Sequence, residues 1–87
     1  MTPDEFQRFL EGIVTPRFPQ GLTSWPAAGQ WRSPDGRLIE EASHVLVLVH
    51  EPDPASERAI AEIIERYKKD FQQRSVLRVR SSACASF

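Results

Sequence analysis

The chain contains five consecutive apolar residues, Val45-Leu46-Val47-Leu48-Val49. Side chains alternate between the two faces of a β-strand, so a strand formed by this run is apolar on both faces. Such a strand must be covered on both sides. A chain of 87 residues has few elements to provide that cover, because it holds one small domain with one core. The run therefore predicts that a strand is missing, that a partner subunit supplies part of the cover, or both.

Charge and hydropathy argue against two classes of function. The chain has 11 basic and 12 acidic residues and a pI near 6.1, so no overall positive field attracts nucleic acid. Its longest apolar run is far shorter than the ~20 residues that span a bilayer. Residues 1–20 lack the basic start and apolar stretch of a signal peptide. We therefore expect no nucleic-acid partner, no transmembrane segment and, as the chain stands, a soluble cytoplasmic protein.

A first helix is predicted almost from the start of the chain. Thr2 is a suitable N-cap residue and Pro3 suits the first turn. The helix should end near Val14, because Pro16 disfavours helical geometry at the residue before it. One apolar stripe follows from helical spacing and consists of Phe6, Phe9, Leu10 and Ile13.

A second helix is predicted to begin at Asp53, which can act as its N-cap. Charged residues four positions apart in the favourable order predict ion pairs from Glu62 to Arg66 and from Glu65 to Lys69. These charges are typical of an exposed helix face. The opposite face carries a regular apolar stripe of Ile60, Ile63, Ile64, Tyr67 and Phe71.

Between the two helices the sequence predicts a β-hairpin. The turn Ser33-Pro34-Asp35-Gly36 reverses the chain readily and places Trp31 near Leu38. Pro26 and Gly29 interrupt the first strand, so residues 26–29 should form a bulge or kink. After the second helix, residues 75–80 alternate and predict a half-buried strand.

The predicted order is helix, strand, strand, helix, strand. This order is similar to a ferredoxin-like βαββαβ unit that lacks its first strand, an α+β fold with both helices on one face of an antiparallel sheet. In that fold the missing strand lies beside residues 45–49, so this strand would keep an unpaired apolar edge. Such edges favour pairing with another chain. We therefore expect one domain, residues 1–87, that forms a homodimer or larger oligomer through its sheet.

Several ordered blocks of the sequence also resemble one known family. The chain is similar over nearly its whole length to bacterial domain-of-unknown-function family 3574. The blocks that carry the resemblance are residues 15–19 (Thr-Pro-Arg-Phe-Pro), 21–23 (Gly-Leu-Thr), 29–32 (Gly-Gln-Trp-Arg), 34–37 (Pro-Asp-Gly-Arg), 67–68 (Tyr-Lys) and 75–79 (Ser-Val-Leu-Arg-Val), together with Ser43 before the apolar run.

The resemblance implies no reaction and no ligand, but it has two implications for the start of the chain. Members of the family usually carry an additional strand before the first helix, so the resemblance implies that this chain is truncated at its N-terminus. Members often carry an export signal or a lipoprotein leader as well. This chain also differs from the usual family pattern at Arg74 and at residues 26–28.

Three residues of the connector and the hairpin are candidate ligand contacts. Arg17 lies between prolines and can hold a carboxylate or phosphate through two hydrogen bonds. Its more common role would be an ion pair with Glu40 or Glu41. Gln30 and Trp31 can line a pocket, with the amide as a polar anchor and the indole as a wall. A tryptophan on a hairpin more often belongs to a core or an interface.

The two histidines lie at the ends of the apolar run. His50 can serve as a general base near Glu51, although a polar residue at a strand end explains it more simply. His44 and His50 are six residues apart, roughly 20 Å along a strand, so they cannot bind one metal ion together. Cys84 is the one cysteine and has no partner for a disulfide or a zinc site. No metal and no other cofactor is predicted.

Two functions remain open on the sequence alone. The favoured one is a noncatalytic module that self-associates through its sheet and binds a ligand or partner, with any ligand between the sheet face and the bent hairpin. The alternative is a small dimeric ferredoxin-like enzyme whose pocket is lined by Arg17, Trp31, Glu41 and His50. The enzyme hypothesis requires these four side chains to converge, so their positions discriminate between the two functions.

Overall fold

The computed structural model describes residues 2–86. In chain order, one helix precedes an antiparallel β-hairpin and one follows it. The predicted α+β class, with two helices and an antiparallel sheet, is confirmed. No helix among the described residues is long and apolar enough to cross a membrane. The elements in chain order are α1 (Pro3–Phe9), a π-helical segment (Leu10–Val14), β1 (Thr23–Arg32), β2 (Leu38–Val47) and α2 (Pro54–Asp70).

The N-cap of α1 forms as predicted. The Thr2 hydroxyl accepts a hydrogen bond from the backbone N–H of Glu5 at 3.1 Å, which satisfies one of the free donors at the helix start. The helical path continues to Val14, where the sequence predicts its end. Its last turn widens into π-helix, because the Thr15 N–H reaches back five residues to the Leu10 carbonyl at 2.8 Å.

The π-helical segment changes which residues face the core. The apolar stripe was expected to end at Ile13, but Val14 is the fully buried residue at 0% exposure. Ile13 only packs against the rim of the core. A π-helical turn contains more residues than an α-helical turn, so the inward face shifts by one position along the chain.

Local signals also position α2. The Asp53 carboxylate accepts the Ser56 N–H at 2.7 Å, and this hydrogen bond holds the pKa of Asp53 below its usual value. The predicted N-cap is therefore confirmed. The ion pairs differ from those predicted: Glu65 pairs with Lys68 at 3.0 Å, and Arg66 pairs with Asp70 at 3.6 Å.

The core lies mainly between the first helix and α2 and includes an aromatic cluster. The Phe9 ring meets Tyr67 and Phe71 edge-on, with ring centroids 5.7 and 5.5 Å apart. Phe18 from the connector packs inward, as expected. The apolar run contributes Leu46 and Leu48, which are only partly buried. The buried residues are Phe6, Phe9, Leu10, Val14, Phe18, Ile60 and Ile63.

The hairpin pairs in a continuous register from Thr23 opposite Val47 to Arg32 opposite Leu38. No extra residue interrupts this register, so the bulge predicted at residues 26–29 is wrong. Pro26 lies in a sheet of only two strands, where a missing N–H can face the unpaired edge.

The turn of the hairpin depends on Gly36. Its φ of 89° lies in the left-handed region, which residues with a Cβ rarely adopt. The Gly36 N–H donates to the Ser33 carbonyl at 2.9 Å, and the Ser33 N–H donates to the Arg37 carbonyl at 2.8 Å. The predicted turn is therefore confirmed.

The two faces of the hairpin have different surroundings. One face, which includes His44 and Leu46, packs against the helices: the His44 ring stacks on Phe6 with centroids 3.9 Å apart. The other face, here called the open face, is formed by the side chains of alternate positions along each strand. Its apolar members are Trp25, Ala27, Trp31, Ile39, Val45 and Val47.

Residues 75–80 do not form the half-buried strand that their alternation predicts. They are extended but belong to no strand among the described residues. Leu77 is 90% exposed and Val79 is 82% exposed, so the apolar side of this segment faces solvent. The other side carries Arg78 and Arg80, and both bind the Glu57 carboxylate on α2.

The burial of Val14 gives a test of this core. We expect Val14→Ala to lower the free energy of unfolding by about 2 kcal/mol, because it removes two methyl groups from a closely packed site. Val49→Ala is a matched control, since Val49 is 72% exposed and its truncation should change stability by less than ~0.5 kcal/mol. Urea denaturation of both variants measures the difference, and equal losses would contradict this core.

Candidate functional site

Trp31 and Glu41 form the most defined polar contact among the predicted site residues. The Trp31 indole N–H donates to a carboxylate oxygen of Glu41 at 3.2 Å. Glu41 lies opposite Gly29 and Trp31 lies opposite Ile39, so the two side chains share the open face and meet diagonally across the strands. Both residues are exposed. This contact can fix the indole as a rigid apolar wall with an anion beside it.

Gln30 and Glu41 line a shallow cleft of about 620 Å³ over the middle of the hairpin. Neighbouring strand residues point to opposite faces, so the Gln30 amide and the Trp31 indole do not act on the same side. The cleft contains Gly29 and is otherwise bordered by Ala27, Ala28, Glu40 and Ala42. Small side chains thus leave the backbone accessible at the centre of the hairpin.

Arg17 lies away from this cleft. Its guanidinium binds the Glu62 carboxylate of α2 at 3.0 Å and donates to the Ile13 carbonyl at 2.9 Å. The expected ion pair with Glu40 or Glu41 is therefore wrong. The arginine instead joins the connector to both helices, and its two contacts occupy the guanidinium that was proposed for an anionic ligand.

His50 lies beyond the end of β2, close to the connector. Its Nδ1 is 2.7 Å from the Glu51 carbonyl oxygen; a carbonyl only accepts, so Nδ1 carries the proton. The imidazole ring lies 5.8 Å from the Phe18 ring, centroid to centroid. This arrangement leaves Nε2 as the acceptor in the neutral form.

The candidate residues thus fall into two groups at opposite ends of the hairpin. Glu41 and Val47 are six positions apart on β2, which is about 20 Å along a strand. His50 lies farther on, beside the connector that carries Arg17. The structure brings Trp31 and Glu41 together and does not bring Arg17 or His50 to them. Within one chain, these four side chains do not form the pocket that the enzyme hypothesis requires.

A second cleft, of about 240 Å³, lies between α1 and β1. Sequence analysis did not identify it, because its walls come from segments about 20 to 40 residues apart. Within residues 2–86, His44 Nδ1 is buried and has no hydrogen-bond partner. The residues that line this second cleft are Pro3, Phe6, Gln7, Leu10, Ser24, Trp25, Pro26 and His44.

The ionic contact between α2 and the extended segment is a third polar feature. Glu57 accepts from Arg78 at 2.7 Å and from Arg80 at 3.2 Å. The hydrogen bond from Arg78 is the main reason that the pKa of Glu57 lies below its usual value; the charge of Arg80 adds to it. The sequence shows Arg78 and Arg80 on one side of a strand, but it does not show which carboxylate binds them.

No group of three or more His, Cys, Asp or Glu side chains within residues 2–86 has a geometry that could hold a metal ion. Cys84 is exposed and unpaired within the same range.

The fold and these contacts define a small α+β domain with one covered and one open sheet face. The chain belongs to the family described as "Protein of unknown function (DUF3574)", whose family model matches residues 1–87. The family resemblance seen in the sequence is thereby confirmed. No curated protein and no solved structure matches the chain.

His44 gives a test of how the α1 cleft is built. We expect His44→Phe to raise the free energy of unfolding by about 1 kcal/mol, because phenylalanine keeps the ring on Phe6 and removes a buried nitrogen without a partner. His50→Phe is the matched control and should not stabilise, since it removes the hydrogen bond to Glu51. Thermal and urea unfolding measure both. A loss of stability in His44→Phe would show that Nδ1 has a partner.

Glu57 gives a pH-dependent test. A carboxyl group whose folded pKa is lowered stabilises the contact above its unfolded pKa, and this stabilisation is lost as the pH falls through the folded value. We expect the backbone amide shifts of residues 76–80 to change together at a pH below 4.5, the ordinary pKa of a glutamate, because the pKa of Glu57 is lowered. Glu57→Gln should abolish this transition in an NMR titration, and Glu51→Gln should leave it in place. A transition that survives Glu57→Gln would contradict the assignment.

Proposed function

We propose that the domain is a noncatalytic module that self-associates through its sheet. One observation carries this proposal: the sheet has only two strands, and its open face exposes two tryptophans. Trp25 is 47% exposed and Trp31 is 51% exposed. Two large aromatic side chains on one strand face are typical of an interface and unusual for a solvated surface.

The other apolar residues of the open face extend this surface. Trp25 lies opposite Val45, and Val47 follows two positions along β2. Val47 is exposed, although it belongs to the run that should be covered on both faces. The cover that the sequence requires is thus absent on this side of the described chain.

A second copy of the chain is the partner that fits this surface best. Identical apolar patches can pack against each other around a two-fold axis, which is the most common symmetry of soluble oligomers. The outer edge of β2 lies beside the open face, and unpaired strand edges pair readily with another chain. The open face can therefore bind a second copy, and the free edge of β2 can extend the sheet with a strand of another copy. Such an extended sheet, with the helices on its other face, would have a ferredoxin-like arrangement.

A ligand or a further partner would bind at the Gln30–Glu41 cleft in this proposal. Glu40 and Glu41 give that cleft two negative charges, and the hydrogen bond to Glu41 holds the Trp31 indole beside it. The enzyme alternative is less well supported, because Arg17 is engaged with Glu62 and His50 lies at the far end of the hairpin. A catalytic group must be within hydrogen-bond reach of its substrate proton.

Self-association can be tested by sedimentation velocity at micromolar concentrations. We expect the wild-type chain to form a dimer or larger oligomer, and Trp31→Ala to weaken the contact between open faces by about 2 kcal/mol, or ~30-fold in Kd, as for a tryptophan buried in an interface. Leu38→Ala is the matched control. Leu38 is also large and exposed near the turn, but register places it on the opposite face.

Two results would contradict the proposal. One is a wild-type chain that stays monomeric across the concentration series. The other is a dimer that Trp31→Ala and Leu38→Ala weaken equally, because the open face would then have no special role.

A further inference from the structure

The extended segment of residues 75–80 presents its apolar side outward. Arg78 and Arg80 both turn toward Glu57, as side chains two positions apart on an extended strand do. Leu77 and Val79 must then point away from α2, and they are almost fully exposed. The ion pairs thus hold a short amphipathic extended segment on the molecule with its apolar side uncovered.

The contacts also fix the direction of this segment. The chain leaves α2 near Asp70, and residues 78–80 return to Glu57 in the first turn of that helix. The segment therefore runs antiparallel to α2. Phe6 contacts His44 and Phe18 contacts His50, so the first helix and the connector run in the direction of β2. Arg17 contacts Glu62 and Phe9 contacts Phe71, so α2 runs in the opposite direction. The segment therefore runs parallel to β2 and ends beside the region that follows Val47.

Within residues 2–86, β1 and β2 pair only with each other, so each has one free edge. Pro26 gives β1 no N–H at that position, which makes β2 the better edge for a further strand. The segment of residues 75–80 is also extended and belongs to no sheet. Both β2 and this segment have a high content of valine and leucine, which favours strand pairing. The C-terminal end of β2 and residues 78–80 lie near the start of α2.

We propose that the 75–80 segment of a second copy pairs with the free edge of β2, and that the exchange is reciprocal. This rests on the proposed self-association and adds a strand-edge contact to it; Trp25 and Trp31 stay on the open face of the joined sheet, where they can still pack against another copy. Around a two-fold axis, the two 75–80 segments lie side by side at the centre, and each also pairs with β2 of the other copy. The result is one sheet with the order β1, β2, partner segment, own segment, partner β2, partner β1.

Strand direction makes this arrangement consistent. A two-fold axis perpendicular to the strands makes the two central segments antiparallel to each other. Since each segment is parallel to its own β2, it is antiparallel to the β2 of its partner. Every neighbouring pair in the sheet is then antiparallel, as β1 and β2 already are, and antiparallel pairing needs no crossover connection.

A second copy also explains more of the molecule than an unrelated extended peptide would. A peptide added to β2 would leave the backbone of residues 75–80 without a strand partner, whereas the reciprocal exchange pairs this segment and the edge of β2 in each chain at once. The ion pairs of Arg78 and Arg80 with Glu57 can persist in the dimer, because they lie on the side of the segment that faces α2.

The natural cysteine provides a direct test by NMR. Cys84 is exposed and lies four positions after Arg80, so a nitroxide on it reports where this end of the segment is. The experiment mixes two forms of the chain. One carries the nitroxide on Cys84 and contains no ¹⁵N, and the other is ¹⁵N-labelled and carries Cys84→Ser. We expect broadening of amides in residues 40–45 of the ¹⁵N chain, since the partner segment runs antiparallel to β2.

The outcomes separate this inference from the proposed function. A dimer in which broadening is confined to β1 or to the helices overturns the strand exchange and leaves self-association in place. A dimer in which broadening matches direct β2–β2 pairing also overturns it. A monomer under the same conditions overturns both.

A pair of variants tests the same contact by affinity. We expect Leu77→Lys with Val79→Lys to raise the dimer Kd at least about tenfold, because lysines on a strand edge oppose pairing. Ser81→Lys with Ser82→Lys adds the same charge just beyond the segment and should change Kd less than ~3-fold. Both pairs are at exposed positions, so the fold should tolerate them. Equal effects on Kd would overturn the exchange.

Discussion

Aromatic packing between the first helix and α2 determines how much of the sheet can be covered. Phe9 lies against Tyr67 and Phe71, so the two helices bury much of their apolar surface against each other. What remains covers one face of the hairpin, through the stack of Phe6 on His44 and the contacts of Leu46. Within the described chain no element packs against the open face. This division of the apolar surface accounts for the exposed tryptophans.

A two-stranded hairpin is marginally stable by itself, and packing against a helix or further strands is needed to hold it. Here the helices support the β2 end near His44 and Leu46, while the end near the turn extends beyond the core. The turn compensates locally: Asp35 accepts hydrogen bonds from Ser33 and from the Arg37 N–H, and these hold its pKa below the usual value. The hairpin is thus held at both ends, by the helices at one and by the turn at the other, while its open face has no cover within the described chain.

Local features could be predicted from the sequence, whereas features that depend on distant partners could not. The caps at Thr2 and Asp53 act within three residues, so residue type alone indicates them. The buried position shifts from Ile13 to Val14 because of the π-helical hydrogen bond, and no residue pattern in the sequence predicts that bond. The Arg17–Glu62 pair joins positions 45 apart in sequence. Likewise, the alternation of residues 75–80 indicates two sides, but only Glu57 decides which side faces inward.

The Trp31–Glu41 contact bears on whether the open sheet face could serve as the proposed interface. A carboxylate loses hydration when an interface closes over it, and that loss is costly unless a donor remains bound. The indole N–H of Trp31 is such a donor, already 3.2 Å from Glu41. In the proposed interface, Trp31 would provide apolar area and also the hydrogen bond that makes the burial of Glu41 tolerable. Catalysis would instead need charged groups held together in a water-excluded site, and the described hairpin keeps them apart.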